Sequence, residues 1–122
     1  MDLNILNKQV GEVSVVALKG RIVLGEESSS LRERIKNLLS DGRKKIVLNM
    51  TNVTYIDSAG LGTLVAAHVS AKKESAVLLL SDLGTKFHEV MQVTRLLTVF
   101  NVYATEAEAV GSFDVTKQAA KA

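Results

Sequence analysis

Along the first twenty residues the apolar positions recur with a period of two. Leu3 and Ile5 alternate with polar neighbours, while Val13, Val15 and Ala17 interleave with Ser14, Val16 and Leu18. Alternation of this kind puts successive side chains on opposite faces of a strand. It predicts a first strand from Leu3, a turn at Gly11, and a second, more fully buried strand ending at Gly20, joined as a hairpin. The period then lengthens. Leu31, Ile35, Leu38 and Leu39 form one stripe at helical spacing, opened by Ser30 and Glu33 at capping-box separation and stopped by Gly42. Ile46–Met50 is a run of apolar residues that predicts a strand buried on both faces. A second helix follows with Leu61, Leu64, Val65 and His68 on one side, and Ala66, Ala67 and Ala71 favour the helical state. Ala76–Leu80 predicts a fourth strand, and a third helix turns Phe87, Val90 and Met91 inward. Val99–Tyr103 predicts a fifth strand. Thr105 and Glu108 repeat the capping-box spacing and open a last helix over 107–113.

Strands and helices therefore alternate through the second half of the chain. That order calls for parallel strands joined by right-handed crossovers, added to an antiparallel hairpin. The fold class is α/β, with a mixed sheet of about five strands flanked by about four helices. The expected domain spans 1–113, and 114–122, with few core-forming residues, is expected to be a flexible tail.

Composition narrows the function. The chain has 122 residues, 47% of them hydrophobic, enough for one packed core. Fifteen basic residues nearly cancel 13 acidic ones. The cluster Arg43, Lys44 and Lys45 reads as a solvated turn, and no aromatic residues interleave with basic ones, so no direct nucleic-acid contact is expected. There is no cysteine, which excludes disulfides, thiolate catalysis and cysteine metal sites. His68 and His88 form no metal-binding motif, and neither a metal nor a cofactor is expected. The first 13 residues lack the basic and apolar regions of a signal peptide, and no apolar stretch is long enough for a membrane span, so a cytoplasmic protein is expected.

The segment Tyr55-Ile56-Asp57-Ser58-Ala59-Gly60-Leu61-Gly62 carries the chemistry. An apolar strand runs into an acid, a hydroxyl and two glycines where a helix begins. In the simplest reading Asp57 or Ser58 is the N-cap and the glycines permit a tight turn with close packing. The same geometry also suits a switch. A helix N-terminus favours an anion, so a phosphate on Ser58 would be tolerated there while adding nearly two negative charges to the surface. A nucleophilic serine fits poorly, because G-x-S-x-G would need glycine at the position of Ile56. A phosphate-binding loop fits less well still, since no lysine follows Gly62. No enzyme activity is expected.

The segment Ile56–Gly62 resembles the signature of the STAS domain, named for sulfate transporters and anti-sigma factor antagonists. Leu18-Lys19-Gly20-Arg21-Ile22 resembles the family's segment after its second strand, and Ile46–Met50 its strand before the switch loop. Leu96, Leu97, Phe100 and Val102, followed by Thr105, Glu106 and Ala109, resemble its closing strand and helix. The similarity runs over residues 3–113 in order. It implies that the unmodified protein binds an anti-sigma factor that is itself a serine kinase, thereby freeing a sigma factor. That partner would use ATP to phosphorylate Ser58, and a serine phosphatase would reverse the step. The expected partner-binding and switch loop comprises Thr54, Asp57, Ser58, Ala59, Gly60 and Gly62, with both glycines on the exposed start of the helix. The alternative is a non-catalytic scaffold or an accessory subunit of a signalling complex or lipid transporter. Three positions depart from the family pattern. Asn49 stands where aspartate is common, which removes a charge expected near the switch, and Ser75 and Arg95 stand where glycines are common.

Overall fold

A computed structural model describes the backbone of residues 3–121 and the side chains of residues 3–113. Two strands, β1 (Leu3–Val10) and β2 (Val13–Ile22), form an antiparallel hairpin around Gly11–Glu12. Then follow α1 (Glu26–Ser40), β3 (Lys45–Ile56), α2 (Ser58–Lys73), β4 (Val77–Ser81), α3 (Thr85–Val93), a 3-10 turn (Leu96–Thr98), β5 (Asn101–Tyr103) and α4 (Glu106–Lys121). The five strands lie in the order β1-β2-β3-β4-β5, antiparallel between β1 and β2 and parallel thereafter. The expected mixed sheet with four helices is what forms.

Because the parallel strands advance in one direction, right-handed crossovers place α1, α2 and α3 on the same face. The larger core lies there, with Leu18, Leu31, Ile46, Leu48, Leu64, Leu80 and Met91 buried together. The opposite face carries a smaller cluster, Val13, Val15, Val47, Leu79 and Ala109, covered by α4. The layering follows from the strand pattern. In β3, Ile46, Leu48 and Met50 belong to the first cluster and Val47 to the second, so the apolar run is buried on both sides as expected.

Several boundaries differ from the sequence expectation. Helix α1 begins at Glu26, not near Ser30, and Gly25 is its N-cap with no side-chain cap. Glu26 and Glu27 in the first turn complement the positive end of the helix. The serines are absorbed into the helix, and the buried Ser28 hydroxyl donates to the Val23 carbonyl at 2.7 Å. The C-terminus is as expected: Gly42 takes φ 81°, and the N–H groups of Gly42 and Arg43 donate to Leu39 and Leu38 in the 5→2 and 6→1 pattern. At α4, the Thr105 hydroxyl accepts the Glu108 N–H at 3.1 Å, as the second capping box predicts. Val90 is exposed on α3, where Phe87 and Met91 alone are buried. Strand β5 is shorter than expected because the N–H groups of Val99 and Phe100 donate back to the Leu96 carbonyl, closing the turn after the 3-10 segment, so that pairing starts at Asn101. Helix α4 runs past Phe113, and the expected tail over 114–122 lies outside the residues whose side chains are described.

The largest difference is in β3. It pairs with β4 only as far as Asn49–Ser81, yet continues to Ile56 against the end of β2. Val53 and Ile56 still pack on the larger core, while Thr51, Asn52, Thr54 and Tyr55 are exposed. The mixed polarity of this half reads as a loop in sequence. In space it is a two-stranded ribbon projecting beyond the sheet, and it ends at Asp57.

Candidate functional site

Asp57 closes the ribbon and opens α2. Its backbone is extended, at φ −100° and ψ −177°, as an N-cap requires. One carboxylate oxygen accepts the Gly60 N–H at 2.8 Å, and the other accepts the Leu24 N–H at 3.0 Å. Its own N–H donates to the Ile22 carbonyl at 3.2 Å. These bonds tie the start of α2 to the connection between β2 and α1. The Leu24 N–H first, then the Gly60 N–H, holds the Asp57 carboxyl below the usual carboxylate range; partial burial acts weakly the other way. Of the two N-caps left open by the sequence, Asp57 is the one used.

Ser58 is the first residue of α2 and is exposed, and its hydroxyl has no hydrogen-bond partner among the described residues. Neither His68 nor His88 is hydrogen-bonded to it. His68 packs edge-on against the Phe100 ring at 5.4 Å, the packed histidine that its apolar stripe predicts. Thr54, on the ribbon, is exposed and donates to the Gly20 carbonyl at 3.2 Å. Ala59 is partly buried, and its carbonyl accepts the Thr63 hydroxyl at 3.0 Å.

The two glycines are not equivalent. Gly62 is exposed with open space where a side chain would start. Gly60 does not reach the surface as expected. It is buried against β2, and a Cβ there would overlap the Ile22 carbonyl and lie 2.7 Å from Ile56 Cγ1. Its role in the fold is to let α2 approach the end of β2.

Asn49 also departs from expectation. It points to the face covered by α4, away from α2, so an aspartate there would add no charge beside Ser58. Its amide donates to Glu106 at 2.9 Å and its carbonyl oxygen accepts the N–H and hydroxyl of Thr51 at 2.9 and 2.6 Å. Glu106 pairs with Lys8 at 2.8 Å, and Lys8 first, then Asn49, lowers its carboxyl. The Leu24 contact to Asp57 has no signal in the sequence, because 33 residues separate them.

Beside the ribbon, a groove of about 520 Å³ runs between Val53–Ile56 and the start of α3, with Phe87 and Val90 in its wall. Tyr55, 54% exposed, stands at the ribbon with the Arg21 guanidinium 5.6 Å from its ring centre. Leu24 is 77% exposed. Among the described residues no three His, Cys, Asp or Glu side chains gather as metal ligands, and no helix is long and apolar enough to cross a membrane.

Comparison with known proteins matches this arrangement. The STAS domain family profile covers residues 4–109. The anti-sigma-B factor antagonist of Listeria monocytogenes is 30% identical over 94 residues, which are 74% of this chain and 82% of the relative. The structure of TM1081 from Thermotoga maritima superposes with a TM-score of 0.82 at 24% identity, covering 88% of this chain and 92% of that one. The Bacillus anti-sigma factor antagonist SpoIIAA superposes in its unphosphorylated and phosphorylated forms with a TM-score of 0.71 each, at 19% and 20% identity. The unphosphorylated form covers 91% of this chain and 98% of its own, the phosphorylated form 90% and 99%. With the family profile spanning nearly the whole fold and Asp57-Ser58 at the head of α2, the chain belongs to the STAS domain family.

Proposed function

We propose that this protein is a non-catalytic anti-sigma factor antagonist of the cytoplasm: unmodified, it binds an anti-sigma factor serine kinase, and phosphorylation of Ser58 ends that binding. The carrying observation is the exposed, unbonded Ser58 hydroxyl on the first residue of α2, beside an Asp57 whose two hydrogen bonds fix the surface around it. The names of the Listeria and Bacillus relatives, and the existence of SpoIIAA in a phosphorylated form, support the same reading. ATP belongs to the partner kinase, and a serine phosphatase resets the switch.

The energetics separate fold from interface. A phosphate on Ser58 points to solvent, so no packed group has to move. The helix N-terminus favours the anion by about 0.3–1 kcal/mol. The neighbouring Asp57 carboxylate, which already occupies the Gly60 N–H, opposes it, and the net effect on folding is small. At an interface that buries a neutral hydroxyl, an unpaired charge costs about 3–5 kcal/mol. At about 1.4 kcal/mol per tenfold, that is a loss of more than a hundredfold in affinity.

The test uses each anti-sigma factor kinase of the source genome, purified singly. One of them binds the unmodified protein, phosphorylates Ser58 in the presence of ATP, and loses affinity more than a hundredfold while the melting temperature holds. Ser58→Ala stays bound and ignores ATP. Gly62→Arg weakens binding without unfolding the chain, since nothing occupies the space beside Gly62. Unchanged affinity with Ser58 fully phosphorylated, or phosphate found only on Ser29 or Ser30, overturns the switch and returns the protein to the scaffold reading.

A further inference from the structure

Helix α2 presents a continuous exposed track of small residues that begins at the switch. Ser58, Gly62, Ala66 and Ser70 recur every fourth residue and are all exposed, so they lie along one side of the helix. The track covers about 18 Å at 1.5 Å per residue, a little over three helical turns. Helix α1 runs beside it in the same direction, because both are crossovers between parallel strands, and Asp57 ties the heads of the two helices together through Leu24. Between them lies a groove of about 510 Å³. Ile35, Leu39 and Ala67 make its apolar floor. Arg32 and Lys36 stand on the α1 rim and Lys73 at the far end of α2, each exposed and without an ion pair among the described residues. Glu74 is the sole acid lining the groove.

We propose that this groove seats an acidic amphipathic helix of the partner, laid along α2 with one end at Ser58. This rests on the partner reading above and adds to it the chemistry of the surface that is recognised. The floor accepts an apolar stripe, and the small side chains of the track let a helix backbone come close. The three rim cations select acidic flanks. Lysine or arginine flanks would meet Arg32 and Lys36 at close range. On α2 the groove is lined from Ala66 to Glu74, and the exposed track carries on past it to Ser58, about 12 Å further along the helix. A helix that fills the groove and follows the track brings its near end to Ser58, where a dianion repels the acidic flank within reach of it.

The experiment uses a defined probe, independent of any natural partner. A fluorescein-labelled 18-residue amphipathic peptide with a leucine stripe and glutamate flanks is titrated against the full chain, beside the same peptide with lysine flanks. The glutamate peptide binds at least tenfold more tightly, weakens as salt rises, and shifts the amide signals of Lys36, Ala66 and Ser70. The double variant Arg32→Glu/Lys36→Glu inverts the preference, and Ala66→Trp, which fills the groove, abolishes binding. All three positions are exposed, and melting temperatures check that the variants fold. Equal binding of the two peptides, shifts elsewhere on the surface, or occupation of the groove by a second copy of the chain in sedimentation overturns the proposal. The kinase assay separates the two readings. If Gly62→Arg weakens kinase binding and Arg32→Glu/Lys36→Glu does not, the groove is wrong and the function stands. If no kinase binds while the glutamate peptide still seats, the function is wrong and the groove stands.

Discussion

Two glycines, two residues apart at the start of α2, illustrate how much a single residue's surroundings matter. Gly60 faces the Ile22 carbonyl at a distance that no Cβ can share, whereas Gly62 faces open space. Gly60→Ala is therefore expected to destabilise the fold by about 1–3 kcal/mol, the usual range for overpacking against a group that cannot swing away. Gly62→Ala is expected to be neutral or to stabilise by up to about 1 kcal/mol, since glycine is a poor helix former. Urea denaturation of both variants measures the difference, and a neutral Gly60→Ala would show that β2 yields. Ser75 and Arg95 make a related point. Both adopt positive φ, 58° and 62°, the left-handed region that glycine enters without a Cβ penalty, at about 1 kcal/mol of strain each.

At the scale of elements, the Asp57 carboxylate is a clamp between α2 and the connection before α1. Only the ionised form offers acceptors to both N–H groups, which is why its proton is held less tightly than usual. A carboxyl lowered in the folded state contributes stability above its unfolded pKa, about 3.9, and that contribution is lost as the pH falls through the lower folded value. Asp57→Asn keeps one carbonyl oxygen, so it can serve Gly60 or Leu24 but not both. The variant is expected to melt below the wild type from pH 7 down to about 5, with the gap closing below about pH 4. Thermal melts from pH 7 to below pH 4 decide it; a gap that does not narrow at all below pH 4 would show that the charge of Asp57 is not what the clamp uses.

At the scale of the whole molecule, the sheet is covered unequally: three helices pack on one face, and α4 on the other. The thinner layer is tied down by polar contacts from distant parts of the chain. Lys8 of β1, Asn49 of β3 and Glu106 of α4 meet there, with Glu106 between the other two. An aspartate at position 49 would set a second carboxylate against Glu106 in place of a donated hydrogen bond. Asn49→Asp is expected to cost about 1 kcal/mol at neutral pH. One carboxyl of that pair would have its pKa raised, so the deficit shrinks as the pH falls and the pair takes up a proton. Chemical denaturation at pH 7 and pH 4.5 checks this, and a deficit that grows in acid would contradict the like-charge account.

The sequence alone determined the α/β class, the hairpin and the parallel order, because strand and helix periods differ and alternate along the chain. It also located Asp57 and Ser58, since an acid and a hydroxyl at the junction of an apolar strand and a helix have few uses. What it could not supply was whatever depends on residues far apart in sequence. Three serines look alike as caps, so the sequence points to Ser30 for the start of α1; packing buries Ser28 and leaves Gly25 at the boundary. The outer half of β3 has the polarity of a loop because its residues pair on one side only, with β2. Gly60 and Gly62 are identical as letters; the Ile22 carbonyl, 38 residues earlier, makes one a packing site and leaves the other on the surface. The direction of Asn49 was settled by strand register, which alternates faces residue by residue and is fixed only when the sheet assembles.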